Sequence, residues 1–179
     1  MTALRMAALV AAAILIQSAI SRSGGGALGD LVLVAVVAVG LLHGRVAGLL
    51  AGPAAGLLTG TAAGLLQDAL GGGMLGMSGL GKCVAGYLAG IAGTQFIVTQ
   101  WMSRGFLFLG ASLFNSASFM GLSMLLGLRR YDNPVLEAVT QAVVNAAVGV
   151  LLFYGIEFMP TIREQWNAVL ERRRKRRYH

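Results

Sequence analysis

Six apolar stretches, each close to the length that crosses a membrane, constrain the fold of this chain more than any other feature. A spanning helix needs about 20 mainly apolar residues, within a range of roughly 17 to 25. The second stretch is the shortest, and Asp30 near its start is expected at or above the headgroups, which leaves five spans or an interfacial segment as alternatives. The stretches run from Leu4 to Ile20, Leu28 to His43, Val46 to Gln67, Leu75 to Val98, Phe106 to Leu128 and Val135 to Met159.

The composition supports a membrane protein and excludes a water-soluble enzyme. Of the 179 residues, 56% are hydrophobic and 12% are charged, whereas a soluble domain averages about 25% charged residues. The connections between the stretches are too short to hold an extramembrane domain. We therefore predict an all-α, polytopic integral membrane protein with about six transmembrane helices over residues 1–160 and a cytoplasmic tail over residues 161–179.

The positions of the basic residues predict that both termini face the cytoplasm, because cytoplasmic loops are enriched in Lys and Arg. Helical spacing of apolar residues after Pro160, followed by the basic block from Arg172 to Arg177, predicts an amphipathic tail that binds anionic lipid. Stacking aromatics that would indicate nucleic-acid binding do not accompany this block. Ten basic residues fall inside (Arg5, Arg45, Arg104, Arg163, Arg172, Arg173, Arg174, Lys175, Arg176 and Arg177) and four outside or in the outer half (Arg22, Lys82, Arg129 and Arg130).

In this topology four charged residues gather near the outer face: Asp30, Asp68, Lys82 and Glu137. A charge within the hydrocarbon costs about 2.5 to 3.5 kcal/mol by insertion scales, so it usually pairs or faces a cavity. We expect Lys82 to pair with Asp68 or to extend towards the headgroups. The cluster is interpreted as a structural ion pair, with a ligand site or a partner contact as the alternatives.

A second group of polar residues lies deeper in the last two stretches. Glu137, Gln141 and Asn145 are spaced by four residues and share one helix face, and Asn115 lies at comparable depth in the fifth stretch. We predict a hydrogen bond between Asn115 and Asn145. No nucleophile with an adjacent base stands out, so no catalytic residues are predicted. The single cysteine and two distant histidines predict neither a metal site nor another cofactor.

Glycine recurs every four residues along the third stretch, and glycine supplies 26 residues of the whole chain. Residues four apart lie on one side of a helix and drift by about 40° per step. The resulting groove permits close backbone approach, as in small-xxx-small packing. It packs either against helices of the same chain or against a single helix of a partner. Its members are Gly48, Gly52, Gly56, Gly60 and Gly64.

Residues 30–90 contain an acidic residue opening an apolar span (GDLVLVAVVAVGLL), a basic turn (HGRVAG), a Gly-rich span ending in Asp68 (AGLLTGTAAGLLQDAL), and a Gly-rich bend followed by LGMSGLGKCVAGYLAG. In these features they resemble the bacterial rod-shape-determining protein MreD family. It implies a non-enzymatic scaffold of the cell-elongation complex in the bacterial inner membrane, which supports peptidoglycan synthesis and cell shape. The implied partners are the bitopic protein MreC, the RodA polymerase and a class B penicillin-binding protein.

The MreD family is also similar in architecture to the substrate-binding components of energy-coupling-factor vitamin transporters, which provides an alternative function. A vitamin binder needs a cavity of at least about 300 Å³ lined by polar and aromatic groups. The predicted outer loops are short and nearly free of aromatics, which favours the scaffold. Other small membrane proteins, such as holins, form a third alternative.

Overall fold

The computed structural model describes residues 3–22, 29–72, 74–95, 101–128 and 133–175, with side chains described outside 3, 22, 45–50, 101 and 157–175. Within these ranges the chain forms five helices and no strand, so the predicted all-helical fold is confirmed there. The helices are α1 (Ala3–Arg22), α2 (Leu31–Gly71), α3 (Met77–Gln95), α4 (Trp101–Leu125) and α5 (Pro134–Lys175).

The second helix of the bundle, α2, folds back on itself. A straight helix of 41 residues would be about 60 Å long and would hold Val36 and Ala63 about 40 Å apart. These two side chains instead belong to one buried cluster. A Cβ atom built on Gly52 would lie 2.6 Å from the Cα of Gly44. The chain therefore reverses between Gly44 and Gly52, and α2 consists of a first arm (31–44) and a second arm (52–71).

Successive rods, meaning the helices with each arm of α2 counted separately, run antiparallel. The chain therefore alternates between two ends of the bundle. Hydrogen bonds join Gln17 of α1 to Gly29 and Leu31 at the start of α2, and Asp68 to Ser78 at the start of α3. These contacts define one end, called here the Asp68 end. The ends of α1, α2 and α4 and the starts of α2, α3 and α5 lie there, whereas Arg104 lies near the opposite, Arg104 end.

The first arm of α2 is the central rod of the bundle. Every residue from Val32 to Leu41 is buried, as expected for a helix that is apolar on all sides. Its side chains contact Ile14 of α1, Ala63 of the second arm, and a cluster contributed by α3, α4 and α5. That cluster contains Ala85, Ala89, Phe108, Ala146 and Phe153. The second apolar stretch, which is the shortest of the six, is thus enclosed by protein.

The described glycines of the third stretch form a seam against neighbouring backbone. A methyl group placed on any of these glycines would overlap main-chain atoms of α3 or of the first arm. The groove is therefore covered by helices of the same chain at these positions, and the side-chain environment of Gly48 lies outside the described residues. The contacts pair Gly52 with Gly44, Gly56 with Gly86, Gly60 with Lys82, and Gly64 with Gly79.

A bend after Gly71 separates α2 from α3, as the glycine run predicts. Gly72 and Gly76 have φ values of +68° and +97°, a region that residues with a Cβ rarely occupy. Gly72 caps the end of α2 in the left-handed conformation, which is a common helix terminator. A glycine is therefore required on both sides of this bend.

Within the part of the chain that the structure describes, three helices are long and apolar enough to cross a membrane: Leu4–Ser21, Met102–Leu125 and Pro134–Ile156. Large apolar side chains point away from the bundle on each of them, including Leu15, Phe106 and Val143. A surface of this kind is typical of membrane proteins, so the prediction of a transmembrane protein holds at that level. The six predicted stretches fall in α1, the two arms of α2, α3, α4 and α5, and six membrane crossings stay a prediction.

The helical backbone of α5 continues through Pro160 to Lys175. Our sequence-based boundary between a transmembrane domain and a tail falls within this helix. The side chains from 157 to 175 lie outside the described residues, so the amphipathic character of the tail and its contact with anionic lipid stay predictions.

Candidate functional site

A buried ion pair lies at the centre of the polar residues near the Asp68 end. The Lys82 ammonium lies 2.6 Å from a carboxylate oxygen of Asp30, and the two side chains are 1% and 8% exposed. Asp30 is the N-cap residue of α2 and also accepts a hydrogen bond from the Leu33 amide. The pair joins α2 to α3 where water is largely excluded. Asp30 therefore lies inside the bundle and not at an exposed surface.

The pairing of Lys82 with Asp68 that we expected from the sequence is wrong. Asp68 Oδ2 instead accepts hydrogen bonds from the Gly76 and Ser78 amides, at 2.8 and 3.1 Å. The first amides of a helix have no partner within the helix, and those of α3 lie about one turn before Lys82. These amides hold the Asp68 carboxylate at the start of α3, while Lys82 pairs with the Asp30 carboxylate at the start of α2.

The predicted hydrogen bond between Asn115 and Asn145 is also wrong. Asn145 donates to the Ser112 hydroxyl and accepts from the Asp30 backbone amide, both at 2.7 Å. The entry into α2 thus lies against α5 and supplies the donor that Asn145 Oδ1 needs. Asn115 packs against Gly81 of α3, and its side-chain oxygen is buried without a hydrogen-bond partner.

The polar stripe of α5, formed by Glu137, Gln141 and Asn145, does not lie in one environment: two of its residues contact α4 and one is exposed. Gln141 accepts a hydrogen bond of 2.8 Å from the Ser116 hydroxyl, and Asn145 donates to Ser112 one turn nearer the Arg104 end on both helices. Glu137 is exposed, so the structure does not bring it to the Asp30–Lys82 pair. Two of the three stripe residues therefore hold α4 and α5 together.

Sequence reasoning missed Gln17, which completes the network from α1. Its side-chain amide donates to the Gly29 carbonyl and accepts from the Leu31 amide, each at 3.1 Å. The signal available in the sequence was an amide side chain within an otherwise apolar stretch, and in the structure this side chain is 4% exposed. Such a group must find hydrogen-bond partners inside the protein.

Arg104 is a second buried cation, at the opposite end of the bundle. It is 5% exposed, and its guanidinium carbon lies 5.0 Å from the centre of the Phe153 ring. Phe153 in turn makes an edge contact with Phe108. The cation–π contact links the start of α4 to the middle of α5.

An open cavity of about 580 Å³ lies at the Asp68 end, with walls from α1, α2, α3 and α4. Its polar lining includes Gln17, Gln67, Asp68, Ser78 and Ser123. Among the described residues, no group of three or more His, Cys, Asp or Glu is arranged to hold a metal ion. The lining offers amide and hydroxyl groups, which can accept or donate hydrogen bonds, beside one carboxylate.

Comparisons with protein-family models, curated proteins and solved structures find no match to this chain. The resemblance to the MreD family therefore stays a hypothesis that rests on the residues quoted for it.

Proposed function

We propose that this chain is a non-enzymatic membrane scaffold of the bacterial cell-elongation complex, related to MreD. Its role is to bind an MreC-like bitopic protein and to support peptidoglycan synthesis by a RodA polymerase and a class B penicillin-binding protein. The observation that carries the proposal is the folding of residues 30–90, which bear the resemblance, into one tightly packed unit of α2 and α3. Asp68, the acidic residue of the resemblance, joins these two helices.

The proposal extends to about six membrane crossings with both termini in the cytoplasm of the inner membrane. Support comes from the alternation of the rods, which brings the start of α1 and the far part of α5 to the Arg104 end. A C-terminal alkaline phosphatase fusion is expected to be inactive, and a C-terminal fluorescent-protein fusion is expected to be bright. The reverse result would contradict the topology and leave the partner proposal untouched.

The partner surface in this proposal lies away from the glycine seam. Gly52, Gly56, Gly60 and Gly64 are occupied by helices of the same chain. The exposed apolar side chains of α1, α4 and α5, among them Leu15, Phe106 and Val143, offer surface to a single-span helix, and close packing there would supply the attraction that lipid-embedded helices need.

The test is copurification combined with cell shape. The tagged full chain, extracted in mild detergent, is expected to recover an MreC-like bitopic coiled-coil protein, and depletion of the chain is expected to round rod-shaped cells. Recovery of two ATPases with unchanged cell shape would contradict the scaffold and support an energy-coupling-factor transporter.

The transporter is the second candidate, and the cavity at the Asp68 end is the observation that favours it. Its volume exceeds the minimum expected for a small-molecule site. Phe119 is the aromatic residue in its described lining, however, and an aromatic-rich wall is what a vitamin ring would need. The scaffold therefore remains the better-supported proposal.

A further inference from the structure

The cavity at the Asp68 end is formed where two helices fail to meet. Within the described residues α1 and α4 do not pack on each other, yet both contribute to its walls, together with the end of α2 and the start of α3. The remaining space is about 580 Å³. This volume suits a small organic group and not a single ion.

An unsatisfied acceptor lies in the wall of this cavity. Gln67 is part of the lining, and its side-chain oxygen is buried without any hydrogen-bond partner. Unpaired buried polar groups are rare in native proteins, and each calls for a physical explanation. The oxygen is shielded from the open space of the cavity, so a ligand that donates a hydrogen bond reaches it once the Gln67 side chain turns into the cavity.

The neighbouring carboxylate gives the cavity a negative charge. Asp68 is 6% exposed, and among the described residues it has hydrogen bonds to two backbone amides but no ion pair. The nearest cation along α3, Lys82, is bound to Asp30. An anionic ligand is therefore disfavoured here, and a cationic group would find its counter-charge.

The rest of the lining indicates which kind of cationic group fits the cavity. Ile14, Met77 and Phe119 add apolar surface, which suits a hydrocarbon body attached to the charged group. Quaternary ammonium ligands are recognised by cages of several aromatic rings, and they carry no N–H to satisfy Gln67. A primary ammonium supplies three donors.

We infer that this cavity binds the primary ammonium group of an amphiphile, with Gln67 and Asp68 accepting its hydrogen bonds and the apolar lining covering its hydrocarbon. Either an aminophospholipid headgroup or a free alkylamine would provide this chemistry. The inference does not depend on the proposed scaffold function, because it uses only the lining of the cavity.

The lipid source is tested by native mass spectrometry of the full chain in detergent. The protein is offered phosphatidylethanolamine or phosphatidylcholine with identical acyl chains. We expect retention of phosphatidylethanolamine at least tenfold above phosphatidylcholine. Gln67→Leu is expected to lower that retention about tenfold, since it removes an acceptor for a charged donor. Gln95→Leu makes the same change at the exposed end of α3, outside this cavity, and is expected to bind as the parent does.

The free-amine source is tested by thermal unfolding with hexylammonium or hexanol. Stabilisation by hexylammonium that hexanol does not reproduce, and that Gln67→Leu abolishes, supports the inference with a free amine as the ligand. Gln67→Glu keeps an acceptor and adds a negative charge, so it is expected to strengthen binding of either probe severalfold.

The inference is overturned if neither probe is preferred over its matched control, or if the preferences are the same in Gln67→Leu and the parent. Equal retention of the two phospholipids would show that the cavity covers acyl chains without recognising a headgroup. These outcomes leave copurification with an MreC-like partner unaffected, so the two proposals fail separately.

Discussion

At the scale of single residues, the Asp30–Lys82 pair has the largest predicted effect on stability. Lys82→Met removes one partner and leaves a buried carboxylate, which costs about 3 to 5 kcal/mol. The double variant Asp30→Asn with Lys82→Met removes both charges and keeps an acceptor for the Leu33 amide. We expect it to recover most of the loss in thermal unfolding of detergent-solubilised protein. A double variant no more stable than Lys82→Met would contradict direct pairing.

Asp68 is predicted to act on the start of α3. Asp68→Ala leaves the Gly76 and Ser78 amides without their acceptor, and loss of a comparable helix cap costs about 0.5 to 2 kcal/mol. Asp68→Asn retains an oxygen at this place and is expected to lose less than half as much. The melting temperatures of the two variants provide the measurement. An equal loss in Asp68→Asn and Asp68→Ala would show that charge, and not hydrogen-bond acceptance, matters to folding.

The sequence predicts which residues must be buried polar groups better than it predicts their partners. Asp30, Lys82 and Asn145 interrupt apolar stretches, and that alone indicates burial or pairing. The partners depend on how each helix is rotated and on where the chain enters it. Lys82 bonds to Asp30 because the entry into α2 lies beside α3, a relation that no spacing in the sequence encodes.

At the scale of elements, the glycine seam sets the distance between the second arm of α2 and α3. Gly56→Ala and Gly60→Ala place a methyl group on the backbone of α3, and overpacking of this kind costs about 1 to 3 kcal/mol or more. Gly121→Ala is the matched control, since nothing lies within 4 Å of a Cβ at that position in α4. We expect it to keep or raise the melting temperature, because alanine favours a helix. Equal melting temperatures for all three variants would show that the seam does not determine helix packing.

The glycine seam also shows which parts of the helix packing can be predicted from the sequence. A four-residue glycine period indicates close helix packing on its own, and its internal use was one of the two alternatives that the sequence left open. The choice between them required the reversal within α2, because only an antiparallel second arm can lay these glycines along α3. The short sequence from His43 to Arg45 predicts a connection, but it does not specify how closely the two arms approach.

At the scale of the whole molecule, the apolar outer surface predicts where charge is not tolerated. Val143 is 55% exposed and lies near the middle of the apolar part of α5. Val143→Arg is expected to cost about 2.5 to 3.5 kcal/mol on insertion scales and to reduce the membrane-integrated fraction after alkaline extraction. Val143→Leu is the control and is expected to integrate normally. Normal integration of the arginine variant would mean that this face is not in contact with lipid.

The central position of the first arm has a consequence for biosynthesis. The arm is made early, but the residues that enclose it come from helices made later, up to Phe153 of α5. A growing chain that ends before Lys82 holds the Asp30 carboxylate without its counter-ion. The early intermediate is therefore an incomplete bundle that must be protected by an insertase or a chaperone. The native arrangement becomes available only when α5 leaves the ribosome.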